Sequence, residues 1–204
     1  MRAINTSTVD IATNWMPSVR VLGELRAGII TYRNVIREHM LGETVEEKLA
    51  SEKILTTVVE GNMKIRQSYE PMISSPEERA VYGDWVRLWE SYRKGTEEVM
   101  ALSRRDAGKI AHDAHEMNSK TVNKIGIDAD EVLKKAIELN NAGAETATKQ
   151  AADNYEFAFM ILAAILGTAI ILGIAVAIYL VRDVSRGIAS IVQPMQALGS
   201  GDLT

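Results

Sequence analysis

The chain has 204 residues, 47% of them hydrophobic, with a formal net charge of −4 and no cysteine. That length holds one domain with a real core plus an appendage, and the acidic balance excludes a global basic field for nucleic acid. Missing thiols exclude disulfide scaffolds, thiolate metal sites and cysteine nucleophiles, and leave the compartment open. Four prolines and two phenylalanines, among abundant helix formers, favour helices over a β-sandwich.

In chain order, the first helix carries a stripe of Trp15, Val19, Leu22, Arg26, Ile29, Arg33, Ile36 and Met40, at alternating spacings of four and three. Gly42 ends it, and Thr44 with Glu47 forms a capping-box pattern for the second helix. The second stripe is Leu55, Val58, Asn62, Ile65, Tyr69 and Met72. Ser75 and Pro76 are the N-cap and first position of a third helix, striped by Val81, Trp85, Leu88, Tyr92, Gly95, Val99 and Leu102. Trp85, Trp89 and Tyr92 repeat at helical spacing and belong to the core. The third helix breaks near Gly108, and a second weak point is expected at Gly126, with Asp128 as a cap. A fourth stripe follows through Ile125, Ala129, Val132, Ala136, Leu139 and Gly143. Four such segments with short joints predict an all-α, antiparallel up-down-up-down four-helix bundle.

The bundle continues into a transmembrane helix. Phe157 to Val181 carries no charge, and at about 1.5 Å per residue it reaches roughly 37 Å, enough to cross a hydrocarbon core of about 30 Å. Tyr155 and Tyr179 flank it at interfacial positions. Arg182 and Arg186 follow closely, against Lys149 before, which puts the C-terminal side in the cytoplasm. The expected organisation is therefore residues 1–156 outside, a span over 157–181 and a cytoplasmic segment over 182–204. Exporting residues 1–156 needs a signal or an earlier span, so the natural chain is expected to begin before Met1 with a first membrane helix.

Arg33 and Arg37 ask for an explanation. On a helical wheel Leu22, Ile29 and Ile36 centre the stripe, with Arg33, Arg26 and Arg37 progressively further round one shoulder, within about 80–100° of Ile36. A guanidinium near a core needs a partner, and its fork suits a carboxylate. Antiparallel counting puts Thr121 to Asp128 of the fourth helix level with Arg33 and Arg37, far from the membrane. One reading is an anion site, between first helices of two subunits or within one bundle; the other is edge arginines paired with Glu38 or Glu97. His112 and His115 offer a weak metal or pH-sensing alternative. "HDAHE" lacks the order of zinc hydrolases, and a solvated helix end explains it better. No catalytic constellation and no cofactor motif is present in the sequence, so no enzyme and no cofactor is expected.

The stretches "NWMPSVRVLGELRAGIITYRNVIREHML" and "PEERAVYGDWVRLWESYRKGTEEVMALSR", the span, and then "IVQPMQALGSGDLT" occur in a telling order. Together they resemble the sensor region of bacterial methyl-accepting chemotaxis receptors: a periplasmic four-helix bundle, a transmembrane helix and the opening of a HAMP relay domain, marked by Pro194 and Gly201-Asp202-Leu203. The interval from Pro194 to Gly201 is about one heptad shorter than usual there, which preserves stripe phase. The resemblance implies a homodimer in the bacterial inner membrane that binds an amino acid or organic acid through its carboxylate. It implies Arg33 and Arg37 as the contacts, then Arg26; Thr121 and Asn123, the fourth-helix polar residues at that height, would complete the site. It further implies a cytoplasmic chemotaxis kinase and adaptor as downstream partners. The same outer bundle can serve a histidine kinase or diguanylate cyclase, and a membrane-anchored helical adaptor for a protein partner is a further alternative.

Overall fold

The computed structural model describes residues 2–106, 108–109 and 111–199. These include no strand and are helical almost throughout. The first limb comprises α1 (Arg2–Asp10), a π-helical turn (Ile11–Trp15) and α2 (Met16–Leu41). The second is α3 (Val45–Tyr69), closed by a short 3₁₀ turn, and the third is α4 (Pro76–Arg105). The fourth comprises α5 (His112–Met117), a second π-helical turn (Asn118–Val122) and α6 (Asn123–Gly199). This is an antiparallel four-helix bundle continuing into a membrane-compatible helix. The chain divides into two compact units, Arg2–Ala151 and a second that begins at Ala152.

Local chemistry sets the helix ends. Gly42 leaves the helix in an extended conformation after α2. Thr44 and Glu47 exchange side chain-to-backbone bonds as a complete capping box, which satisfies two of the donors that a helix start leaves free. The Ser75 hydroxyl accepts from Glu78 N–H, with Pro76 opening α4 where no N–H is needed. After α4, Gly108 takes φ +91, and its N–H donates to the Glu43 carbonyl at 2.7 Å, tying the α2–α3 turn to the α4–α5 turn. These two turns mark one end of the bundle, called here the far end, opposite the α3–α4 joint.

Hydrogen-bonded pairs fix the directions. Going up α2, the sequence separation of partners in α6 falls from 104 at Arg26–Asp130 to 90 at Arg33–Asn123, as antiparallel packing requires. Against α4 it stays at 64 for Tyr32–Thr96 and His39–Ser103, so α2 and α4 run parallel across the core diagonal. The centre is aromatic. Trp85, Trp89 and Tyr92 are 0, 2 and 1% exposed, so all three are core, and Tyr32 meets Trp89 and Tyr92 edge-on at 5.1 and 5.7 Å. Each such pair contributes about 0.5–1.5 kcal/mol beyond the area it buries.

Two expectations change. The chain does not break at Gly126: α6 runs through it, and Asp128 is no cap but accepts from Lys124 at 2.9 Å. Gly126 is buried against the Tyr92 ring, from which a Cβ would stand only 2.9 Å away, so the position requires glycine. The α2 face is also wider than its counted stripe. Val21, Leu25, Tyr32, Val35 and His39 are buried beside Leu22, Ile29, Ile36 and Met40, while Trp15, Val19, Arg26 and Arg33 sit half-buried at the edge. A helix packed against three neighbours buries a broad arc, not a seam.

The second unit is helical over residues 152–199. Its apolar side chains face outward: Phe157, Leu166, Ile171 and Tyr179 are among many exposed large hydrophobics. Its best window has a mean hydropathy of 2.8 and is 0% buried, so by length and composition this helix can cross a membrane. Gly201, Asp202 and Leu203 of the expected HAMP opening lie outside the described residues, as does the side chain of Pro194.

Candidate ligand-binding cleft at the far end

The last turns of α2 present polar groups on two faces. On the fourth-limb side, Arg33 donates through Nη2 to Asn123 Oδ1 at 3.2 Å, bringing together two residues singled out in sequence. Arg33 Nε is buried and finds no hydrogen-bond partner among the described residues. One turn further, Arg37 is exposed and among the described residues reaches only Asn34 Oδ1 on its own helix, at 3.5 Å. Neither arginine forms an ion pair with Glu38 or Glu97 among the described residues.

Beside them lies a cleft of about 270 Å³. Arg37, Met40 and Leu41 form its α2 wall, and His115, Asn118, Ser119 and Asn123 line the other side. No Asp or Glu is among these residues. The cleft therefore offers a guanidinium, amide and hydroxyl groups and an apolar floor, with no carboxylate to repel an anion.

The π turn builds the opposite wall. Buried positions run Ala114, Asn118, Val122 and Gly126, each four apart, before returning to mixed spacing at Ala129 and Leu133. A turn wider than 3.6 residues keeps such a run on one face, and π bulges inside helices recur at functional sites. Asn118 was missed in sequence because that region reads as an irregular joint; the signal is the four-residue run through "AHDAHEMNSKTVNKIG". It is only 7% exposed, and its Oδ1 has no partner among the described residues.

The remaining sequence candidates part company. Arg26 binds Asp130 bidentately, Nε to Oδ1 at 2.7 Å and Nη2 to Oδ2 at 3.1 Å, and those hydrogen bonds push its pKa up. Its fork is thus occupied. Thr121 is exposed and is not among the cleft-lining residues. His115 joins the cleft but His112 does not, and no group of three or more His, Asp or Glu able to hold a metal occurs among the described residues.

The other face of α2 carries a saturated cluster. His39, 0% exposed, meets Ser103 Oγ through Nδ1 at 3.1 Å and Glu52 Oε1 through Nε2 at 3.0 Å. Lys48 donates to the His39 carbonyl at 3.0 Å and to Ser103 Oγ at 2.9 Å, while Arg104 Nε donates to Glu52 at 2.6 Å. The Arg104 hydrogen bond, ahead of that from His39, holds the Glu52 carboxyl below its usual range. Glu52 accepts, so His39 carries a proton on Nε2, and the Ser103 hydroxyl donates to the His39 carbonyl at 3.0 Å. Burial lowers the pKa of His39 and of Lys48. Glu52 and Arg104 also line a second cleft, of about 330 Å³ between α3 and α4, but Glu60 and Glu97 line it too and oppose an anion there.

A four-limb helical bundle with a cation-lined cleft at one end, followed by a membrane-compatible helix, has the architecture of a helical sensory module. A family described as "Four helix bundle sensory module for signal transduction" matches residues 1–155, and the chain belongs to it: the four-helix-bundle sensory module of methyl-accepting chemotaxis proteins. That family is a sensory module and not a catalytic domain. No curated protein and no solved structure matches the chain.

Proposed function

We propose that the chain is the sensor region of a transmembrane chemoreceptor that binds a small carboxylate in the far-end cleft and relays a helix displacement across the membrane. The observation that carries this is the group formed by Arg33, Arg37 and Asn123: two guanidiniums, only one of them bonded across to another limb, beside a cleft lined by no acidic residue. A carboxylate on Arg37 gains charge-assisted, bidentate hydrogen bonds in a partly desolvated site. Arg33, held by Asn123, adds positive potential behind it.

In this reading residues 1–156 are periplasmic, 157–181 span the inner membrane and 182–204 open a cytoplasmic HAMP relay, in a homodimer that signals to a chemotaxis kinase and its adaptor. The cleft wall and the membrane-compatible segment belong to one helical limb, since α6 runs from Asn123 to Gly199 without interruption. A ligand that favours one placement of that limb shifts the receptor by its differential affinity for the two states. Isothermal titration of the full chain in detergent micelles with di- and monocarboxylates tests it. Saturable binding lost in Arg37→Ala, and weakened tenfold or more in Arg33→Ala at unchanged helicity, supports the assignment; unaltered affinity in both variants refutes it.

A further inference from the structure

We infer that Asn140 and Glu78 form a two-position latch that sets where the fourth limb stands against the rest of the bundle, at the end opposite the cleft. The latch is a property of the limb and does not depend on which ligand the cleft takes.

Among the described residues, three side-chain pairs bond α6 to another limb: Arg26–Asp130, Arg33–Asn123 and Glu78–Asn140. The first two are part-buried. In the third both residues are buried, Asn140 at 0% and Glu78 at 1% exposed. It is also the last of the three along α6 before the apolar run that begins at Phe157.

Glu78 is the fixed half. It stands in the first turn of α4, where a carboxylate suits the helix N-terminus. Ser74 N–H donates to its Oε2 at 2.9 Å, and the Tyr69 hydroxyl donates to its Oε1 at 2.7 Å. Asn140 is the half that moves with α6. Its Nδ2 donates both to Glu78 Oε1 and to the Ala136 carbonyl one turn back, each at 3.0 Å, which ties the amide to its own backbone. The reverse amide orientation would set Oδ1 against a carboxylate and a carbonyl, so the N–H groups must face them. Asn140 Oδ1 is then buried with no partner among the described residues.

One hydrogen bond is therefore missing, and a donor for it lies close by. The Asn140 amide interacts with the Tyr69 hydroxyl as well as with Glu78, and burial pushes the Tyr69 pKa up, so this hydroxyl keeps its hydrogen. In the arrangement seen, that hydrogen goes to Glu78 and leaves Asn140 Oδ1 unmet. In the alternative it passes to Asn140 Oδ1, while Glu78 keeps its bonds from Asn140 Nδ2 and Ser74. The first arrangement has an extra charge-assisted bond and the second a complete network, and these gains are of similar size. Because the amide is tied to the Ala136 carbonyl, exchanging the two moves α6 and not the side chain alone.

The chain has three tryptophans, and the Trp15 ring lies against Gly143, on α6 just beyond Asn140. Fluorine NMR of the fluorotryptophan-labelled full chain in micelles therefore reads the limb at Trp15, with Trp89 in the central core as the control for folding and single Trp→Phe variants to assign the lines. The Trp15 line is expected to show relaxation dispersion from exchange between two positions. Tyr69→Phe, which has no hydrogen to pass on, should abolish it. Asn140→Leu should displace the Trp15 line and leave Trp89 in place. Glu78→Gln combined with Asn140→Asp, which exchanges the amide and the carboxylate, should bring the Trp15 line back. Asn140→Asp alone, which opposes two carboxylates, is read in the same way as Asn140→Leu and serves if that variant does not fold. A Trp15 line without dispersion in the unaltered chain, or dispersion that survives in Tyr69→Phe, overturns the two positions. A Trp15 line that the single variant leaves unmoved, or that the single and the paired variants displace alike, overturns the latch.

Discussion

Two polar clusters flank the last turns of α2, and they have opposite character. Toward α3 and α4, His39, Lys48, Ser103, Glu52 and Arg104 bond one another through contacts of 2.6–3.1 Å, and none of their buried side-chain atoms is left without a partner. Toward the fourth limb, Arg33 Nε and Asn118 Oδ1 are both buried and unsatisfied, and a cleft opens beside them. A saturated polar cluster stabilises the bundle; an unsaturated one leaves the cost of its buried, unbonded groups standing. Height along the helix does not separate them, since Arg37 and His39 are two residues apart, on different faces of α2. The completeness of the hydrogen bonding does.

The largest expected effect breaks the saturated side. His39→Ala removes a fully buried ring and the groups it holds on Ser103 and Glu52, and should cost roughly 2–4 kcal/mol. Arg37→Ala, at an exposed position, should stay within about 0.5 kcal/mol. Urea titration of the full chain in micelles, followed by far-UV circular dichroism, reads both. Equal stabilities for the two variants would erase the contrast.

A smaller effect comes from pH. Burial lowers the His39 pKa despite the Glu52 carboxylate, and the Lys48 and Arg104 cations facing it act in the same direction as burial. The unfolded chain then takes up the proton first as pH falls. Stability from this group is full above its unfolded value of about 6.5 and is lost as pH drops from there through the lower folded value. The Glu47 and Glu52 pKa values are depressed, so their losses lie in more acid solution, below about 4.5. Between pH 7.5 and 5 the denaturation midpoint should therefore fall, and His39→Gln should flatten that slope. A midpoint constant over this range, or a slope unchanged in the variant, would remove His39 from the account.

Much of this was legible in the sequence because it depends on local chemistry or periodicity. The Thr44–Glu47 box, the Ser75–Pro76 start, the aromatic core at Trp85, Trp89 and Tyr92 and the level of Arg33 with the start of α6 need only spacing and capping rules. What was not legible depends on how limbs meet. Gly126 reads as a breaker in isolation, and only the Tyr92 ring across the bundle explains a buried glycine inside a helix. Asn118 lies in a stretch that reads as an irregular joint, and only the helical limb that runs on from α5 through the π turn shows it facing inward. Lys48 and His39 look like solvated polar residues until Ser103 and Glu52 are brought to them from other elements.

Arg26 is the position at which the comparison can be sharpened most finely, because it shares a helix shoulder with Arg33 and yet is already matched. Asp130 occupies its fork, with 38% of the Arg26 side chain and 14% of the Asp130 side chain exposed. The pair is thus partly solvated, and screening limits what it contributes to about 0.5–1 kcal/mol. Arg26→Met keeps the stem that covers the apolar edge and removes the charge. It should lower stability by that small amount and leave carboxylate affinity unchanged within about twofold, while Arg33→Met, of the same shape change two stripe positions higher, should weaken binding at least tenfold. Equal losses of affinity in the two variants would mean that positive potential along the whole shoulder, and not the geometry of Arg33, Arg37 and Asn123 around the cleft, attracts the ligand.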